Sequence, residues 1–310
     1  MNHNILDTVD QARLQGLMFD ARRLVDGLYT GRHGSRRRGN GLEFHDYRAY
    51  CPGDEVTGID WKLFGRTDRY YLRRHRLLTD QQVYVMVDRT ASMNFPAPEF
   101  RSRPTSALPT PTKLAHAKTL AAAIAMLTIG QNDRIGLGLF SSRLDHHIPM
   151  GGTWDHLQKI CWALEQACTA PGPGNLGTAL AQMQGLVRCR GLIVLIADLL
   201  DDPQPLLDGL NRLRHARFDV IVFQVLTVLE LDLAQLGDQR LRVVDAETNQ
   251  TIATNPSQIG PRYKRLMSKH LGAIRNACGV LGIDHNLVTT DQPAVEALRH
   301  YLTRRTAISR

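Results

Sequence analysis

Three apolar runs constrain this chain more than any other feature: VYVMV at 83–87, LIVLIA at 192–197 and DVIVFQVL at 219–226. None shows the apolar–polar alternation of a half-exposed strand, so each is expected to be buried on both faces. Helix-length segments at 113–129, 154–168, 176–187 and 203–215 separate them. Buried strands interleaved with helices predict a parallel sheet covered on both sides. RIGLGLF (134–140) and HHIPM (146–150) extend the series. A helix near 258–281, the strand IDHNLV (283–288) and a last helix at 293–303 close it. The fold class expected is therefore α/β, with a Rossmann-like, mostly parallel sheet and helices on both faces.

Two stretches break this rhythm. Residues 42–82 are aromatic and turn-rich, with short strand-like runs such as LEFHDYRAY and RYYLRRHRLL. In 230–256, LRVVDA, the polar turn AETNQ and TIAT read as a β-hairpin. The chain then divides into a first part, 1–82, and a main domain, 83–228 plus 257–310, with a hairpin insertion at 229–256. The first part opens with a helix over 5–29, whose apolar face is Leu14, Leu17, Met18, Ala21, Leu24, Val25 and Leu28. The hairpin is expected to pack with 42–82 as a small β-rich side domain.

Composition excludes several function classes. No uncharged apolar run of about 18 residues occurs, so no membrane span is expected. The N-terminus lacks the basic-then-apolar pattern of a signal peptide. The five cysteines are scattered without a CxxC pair, which argues against a disulfide framework or a thiolate zinc site. A reduced, cytoplasmic protein is expected. The net charge of +8 favours acidic partners. Its basic clusters, GRHGSRRRG (31–39) and RYYLRRHR (69–76), could track nucleic-acid phosphates beside Tyr70 and Tyr71. Acids stand among them, including Glu43, Asp46, Asp54 and Asp60, and solvated loops and strand edges account for the basic runs equally. FPAPEFRSRPTSALPTPT (95–112) holds five prolines and reads as an extended loop beside the end of the first strand.

Two of the apolar runs end in aspartate, at Asp88 and Asp198. In a doubly wound sheet, ligands bind at the carboxyl ends of the strands. Aspartate is also an ordinary helix cap in that position. Thr90 and Ser92 follow Asp88 at alternate positions, so one carboxylate and two hydroxyls offer oxygens suited to a hard cation such as Mg²⁺. A second reading takes Asp88 as the nucleophile of a haloacid-dehalogenase-type phosphatase, with Ser141, Asp198 and Asp202 as its other parts. That chemistry requires a second acid two residues on, where Thr90 stands, and no other group is placed to protonate a leaving oxygen. There is no phosphate-binding GxxxxGK[ST] loop and no GxSxG elbow. No catalytic residue is assigned.

The segment GRHGSRRRGNGLEFHDYRAYCPGDEVTGIDWKLFGRTDRYYLRRH (31–75) resembles the family called domain of unknown function 58. Its signature stands here as Glu43–Phe44, as Arg48, Tyr50, Pro52, Gly53 and Asp54, and as Ile59–Asp60–Trp61. In that family the segment precedes a von Willebrand factor A-like domain, and VMVDRTASM looks like its first strand and metal loop. The resemblance implies a metal-ion-dependent adhesion site with Asp88, Thr90 and Ser92 on the first loop and Asp198 on the third. On the second loop Gly174 stands where a threonine is usual, and Asn175 and Thr178 are the neighbouring candidates to replace it. The cofactor implied is Mg²⁺ or another divalent cation. The resemblance further implies a non-enzymatic protein-binding module. Its expected partner is a MoxR-type AAA+ ATPase, for which it would be an adaptor or assembly factor. The family's paired N-terminal membrane helices have no counterpart here, which implies a soluble form. Signature residues such as Trp61 are expected in a packed, hydrogen-bonded segment.

Overall fold

The computed structural model describes residues 42–50, 61–77, 82–96, 111–187, 190–236, 241–247 and 250–308. The expected 5–29 helix, the 31–39 loop and the signature residues Pro52, Gly53, Asp54, Ile59 and Asp60 lie outside the described residues, as does most of the proline-rich loop.

Residues 29–80 form one compact unit. Within it β1 (Leu42–Ala49) pairs antiparallel with β2 (Tyr71–Leu77), from Leu42 opposite Leu77 to Ala49 opposite Tyr71. The signature positions Glu43, Phe44 and Arg48 lie on β1, and the Tyr50 N–H donates to Tyr70 O just beyond the ladder. Helix α1 (Trp61–Thr67) is too short to be stable on its own hydrogen bonds. Aromatic contacts hold it: Phe64 stacks on Tyr70 at 4.5 Å between centroids, and Trp61 meets both rings edge-on. Trp61, expected in a packed segment, is 60% exposed. It covers the outside of an aromatic cluster, because a seven-residue helix with no buried residue encloses no core.

The other unit contains a six-stranded sheet. Its strands are β3 (Gln82–Asp88), β4 (Arg134–Phe140), β5 (Leu144–Gly151), β6 (Leu192–Ala197), β7 (Asp219–Leu226) and, nearer the C-terminus, Asp284–Thr289. Between β7 and that last strand come β8 (Leu241–Val244) and β9 (Thr251–Thr254), which makes the last strand β10. The sheet order is β10-β7-β6-β3-β4-β5. All neighbours are parallel except β4 and β5. The antiparallel β5 carries Pro149 on an edge, where a missing N–H is tolerated. Counted from β3, the order is 3-2-1-4-5-6, that of a doubly wound sheet, and the chain reverses direction across the sheet between β3 and β6. This is the expected von Willebrand factor A-like, mostly parallel α/β sheet.

Alternation along each strand builds two cores. Val83, Val85 and Val87 face α2 (Lys113–Gly130), α3 (Trp154–Gln166) and a C-terminal helix at Ala294–Ile308. Tyr84 and Met86 face α4 (Leu176–Leu186), α5 (Pro203–His215) and a long helix at Pro256–Val280. A short helix at Val228–Leu231 is α6, so the long helix is α7 and the C-terminal helix α8. Helix α2 is buried nearly all round, and its run of alanines lets it lie close to the sheet. The expected hairpin forms as β8 and β9, and each pairs only with the other among the described residues. No helix among the described residues is long and apolar enough to cross a membrane.

Candidate functional site

The strand-order reversal puts the carboxyl ends of β3 and β6 side by side. Asp88 is the last residue of β3 and Asp198 follows the last residue of β6. Both are buried. Asp88 Oδ1 accepts the Thr90 N–H at 2.8 Å, a tight turn that fixes the carboxylate against the loop. Ser92 sits in a single 3₁₀ turn, Ala91–Asn94, whose preceding residue Thr90 makes no side-chain cap. The hydroxyls of Thr90 and Ser92 instead meet each other at 3.0 Å. The three first-loop residues are thus brought together.

Asp198 is held at both ends. Its carbonyl accepts from Gln224 Nε2 at 2.8 Å, and its Oδ2 accepts from Lys113 Nζ at 2.7 Å. Lys113 also donates to Glu230 Oε1 at 2.6 Å. Glu230 is fixed in turn, because its Oε2 accepts from the Thr227 N–H and hydroxyl in a capping box that starts α6.

The second loop explains its own glycine. A Cβ on Gly174 would stand 2.8 Å from the Thr90 methyl and 3.2 Å from Asp201 Oδ2, so a threonine has no room there. The Gly174 N–H donates to Glu247 Oε2 at 3.3 Å. Asn175 caps α4, its Oδ1 accepting the backbone N–H of Thr178, whose side chain is exposed. Asp202 likewise caps α5 through Gln204 N, and Ser141 Oγ donates to Asp145. A cleft of about 200 Å³ opens here, lined by Asp88, Gly174, Asn175, Asp198, Asp201 and Asp202, among others.

Negative charge dominates this cleft. Burial, and then the nearby Asp198, push the Asp88 carboxyl up to about 8 against the opposing Thr90 hydrogen bonds. Burial, Asp198 and Asp245 raise Asp201, while burial and Asp201 raise Glu247. Burial alone would lower Lys113, but Asp198 and Glu230 outweigh it and hold the ammonium above its usual range. Among the described residues, no three His, Cys, Asp or Glu side chains gather closely enough to hold a metal by themselves. The set at Asp88 is mixed, one carboxylate with two hydroxyls, and all of its side-chain donors are the hard oxygens that fit Mg²⁺.

Residues 46–272 match the family described as "Protein of unknown function DUF58". The chain belongs to this family. It is 27% identical over 241 residues to "Uncharacterized protein Rv1480" of Mycobacterium tuberculosis, covering 76% of this chain and 71% of the relative. "Uncharacterized protein Mb1516" of Mycobacterium bovis matches to the same extent. Among solved structures, the conserved hypothetical protein BatB from Bacteroides thetaiotaomicron is 14% identical with a TM-score of 0.45, over 73% of this chain and 99% of that one. The SpRpn10 VWA domain is 9% identical with a TM-score of 0.41, over 72% of this chain and 95% of that one.

In this family member, sequence reasoning missed five residues of the site. Lys113 had a signal: a lysine as the first residue of a helix opposes the helix dipole and calls for a counter-charge. Thr227–Glu230 had another, the S/T-x-x-E capping pattern. Asp201 was hidden among three nearby aspartates, and Glu247 arrives from a hairpin turn with no local cue.

Proposed function

We propose that this protein is a non-enzymatic, metal-assisted protein-binding module. Asp88, Thr90 and Ser92 would hold a divalent cation such as Mg²⁺, with Asp198 beside them. When bound, the cation supplies a coordination position open to an acidic group of a partner. The observation that carries this reading is the buried Asp88 carboxylate, set at the strand ends beside a second buried carboxylate, Asp198, and two hydroxyls that hydrogen-bond to each other. A carboxylate in that state gains most from a cation brought in from outside.

The partner we propose is a MoxR-type AAA+ ATPase, for which this chain would act as adaptor or assembly factor. Isothermal titration with Mg²⁺ and Mn²⁺ tests the metal part. Wild type should bind and Asp88→Ala should not. Absence of heat for wild type at millimolar metal would remove it. Affinity capture from the native host, comparing wild type with Ser92→Ala, tests the partner. An AAA+ ATPase should co-purify with wild type and be lost with the variant, and its absence from both would count against the assignment.

A further inference from the structure

Lys113 plays no part in the reading above, yet it is a lysine with a fully buried side chain. Its side chain is 0% exposed. It stands at the first position of α2, with no acidic residue in that turn. There the helix dipole adds to the cost of burying a positive charge. Two carboxylates from separate segments offset that cost, Asp198 after β6 and Glu230 on α6. A structural link between those segments could be made at least as well by packed apolar residues. A buried ammonium on a site carboxylate therefore invites a role at that carboxylate.

We infer that Lys113 is a built-in counter-cation that positions Asp198 and limits how strongly the site binds a divalent metal. The inference rests on the metal reading above. Asp198 Oδ2 is engaged by Nζ at 2.7 Å, so this oxygen can turn toward Thr90 and Ser92 only by leaving the ammonium. Glu230 makes that exchange feasible. Its Oε2 is fixed by Thr227, so Lys113 keeps a charged partner at Oε1 if Asp198 turns away. The Asp198 backbone need not move, because Gln224 pins its carbonyl. Lys113 thus satisfies Asp198 while the site is empty and competes for it when a cation arrives. Without Lys113, the buried Asp198 and the half-buried Glu230 would have no cationic partner among the described residues, and the fold itself would depend on divalent metal.

The test uses the full chain, with Lys113→Met and the double variant Lys113→Met/Glu230→Gln. The double variant removes the second stranded charge and keeps a side chain able to complete the capping box. Thermal unfolding is followed in chelator and in millimolar Mn²⁺ or Mg²⁺, and metal affinity is measured by titration. In the variants the metal-induced rise in Tm should exceed that of wild type. The dissociation constant for Mn²⁺ should fall by roughly ten- to a hundredfold, the effect of removing one nearby positive charge. If Lys113→Met does not fold in chelator, the double variant carries the same expectation. A variant that loses stability but shows the wild-type metal response makes Lys113 a structural link only. That outcome overturns this inference and leaves the metal reading standing. No metal response in wild type or in either variant overturns both.

Discussion

At Lys113, two carboxylates from different segments converge on one ammonium. At Asp88, on the same edge of the sheet, a buried carboxyl faces further acids, and no cationic side chain among the described residues is paired with it. The first cluster is complete: each charge has an opposite within 2.7 Å, and Glu230 is held again by its capping box. The second is not. Asp88 has a backbone donor from Thr90, and the two hydroxyls beside it are hydrogen-bonded to each other. The fold has met the cost of burying charge on one side from within. On the other side burial and the neighbouring carboxylates leave Asp88 raised to about 8. Asp198 belongs to both clusters, and this shared residue makes the difference between them informative.

The largest effect should come from breaking the complete side. Lys113→Met in chelator is expected to lower stability by about 3–5 kcal/mol, the range for removing one partner of a buried pair. Chemical denaturation against wild type measures it.

The next effect lies just behind the same helix end. His116 is buried, its Nε2 has no hydrogen-bond partner among the described residues, and burial lowers it to about 4 from 6.5. The folded state therefore prefers the neutral ring, while the unfolded chain takes up a proton below 6.5. Its contribution is intact above 6.5 and is lost as the pH falls through 4, about 3 kcal/mol over that window. His116→Leu should flatten this slope, which unfolding curves across pH 4–7 would show.

Neutralising the incomplete side should act in the opposite direction. Asp88→Asn retains the acceptor for the Thr90 N–H and removes a carboxyl that burial and Asp198 keep from ionising as it would in the unfolded chain. Metal-free stability should rise by about 1–3 kcal/mol while metal binding is lost. A drop in stability would mean that Asp88 is already compensated. The smallest effect is steric. Gly174→Ala places a methyl against Thr90 and should cost about 1 kcal/mol in a thermal melt, without altering the charge balance.

The sheet was legible in the sequence because burial on both faces leaves a direct mark. VYVMV, LIVLIA and DVIVFQVL are apolar at nearly every position, and they are the central strands. The first loop was legible because Asp88, Thr90 and Ser92 lie within five residues and are placed by local turns. The complete cluster was not legible. Lys113 and Asp198 are 85 positions apart, and Lys113 and Glu230 are 117. Only the strand order brings them together. Gly174 shows the same limit. Its lack of a side chain reads in sequence as a missing ligand, whereas in the fold it is what lets the second loop approach the Thr90 methyl. Trp61 misled for a related reason, since an aromatic residue in a short helix without a core beneath it remains at the surface.

One backbone detail after β6 also matters. Leu199 has φ near +55°, a left-handed conformation that disfavours any residue with a β-carbon. Its carbonyl lies 2.7 Å from His270 Nε2 on α7, a contact that anchors the turn from outside the loop. Asp198 and Asp201 flank this reversal and both line the cleft. The turn that carries Asp198 and Asp201 is thus tied to a histidine seventy-one residues away in the chain.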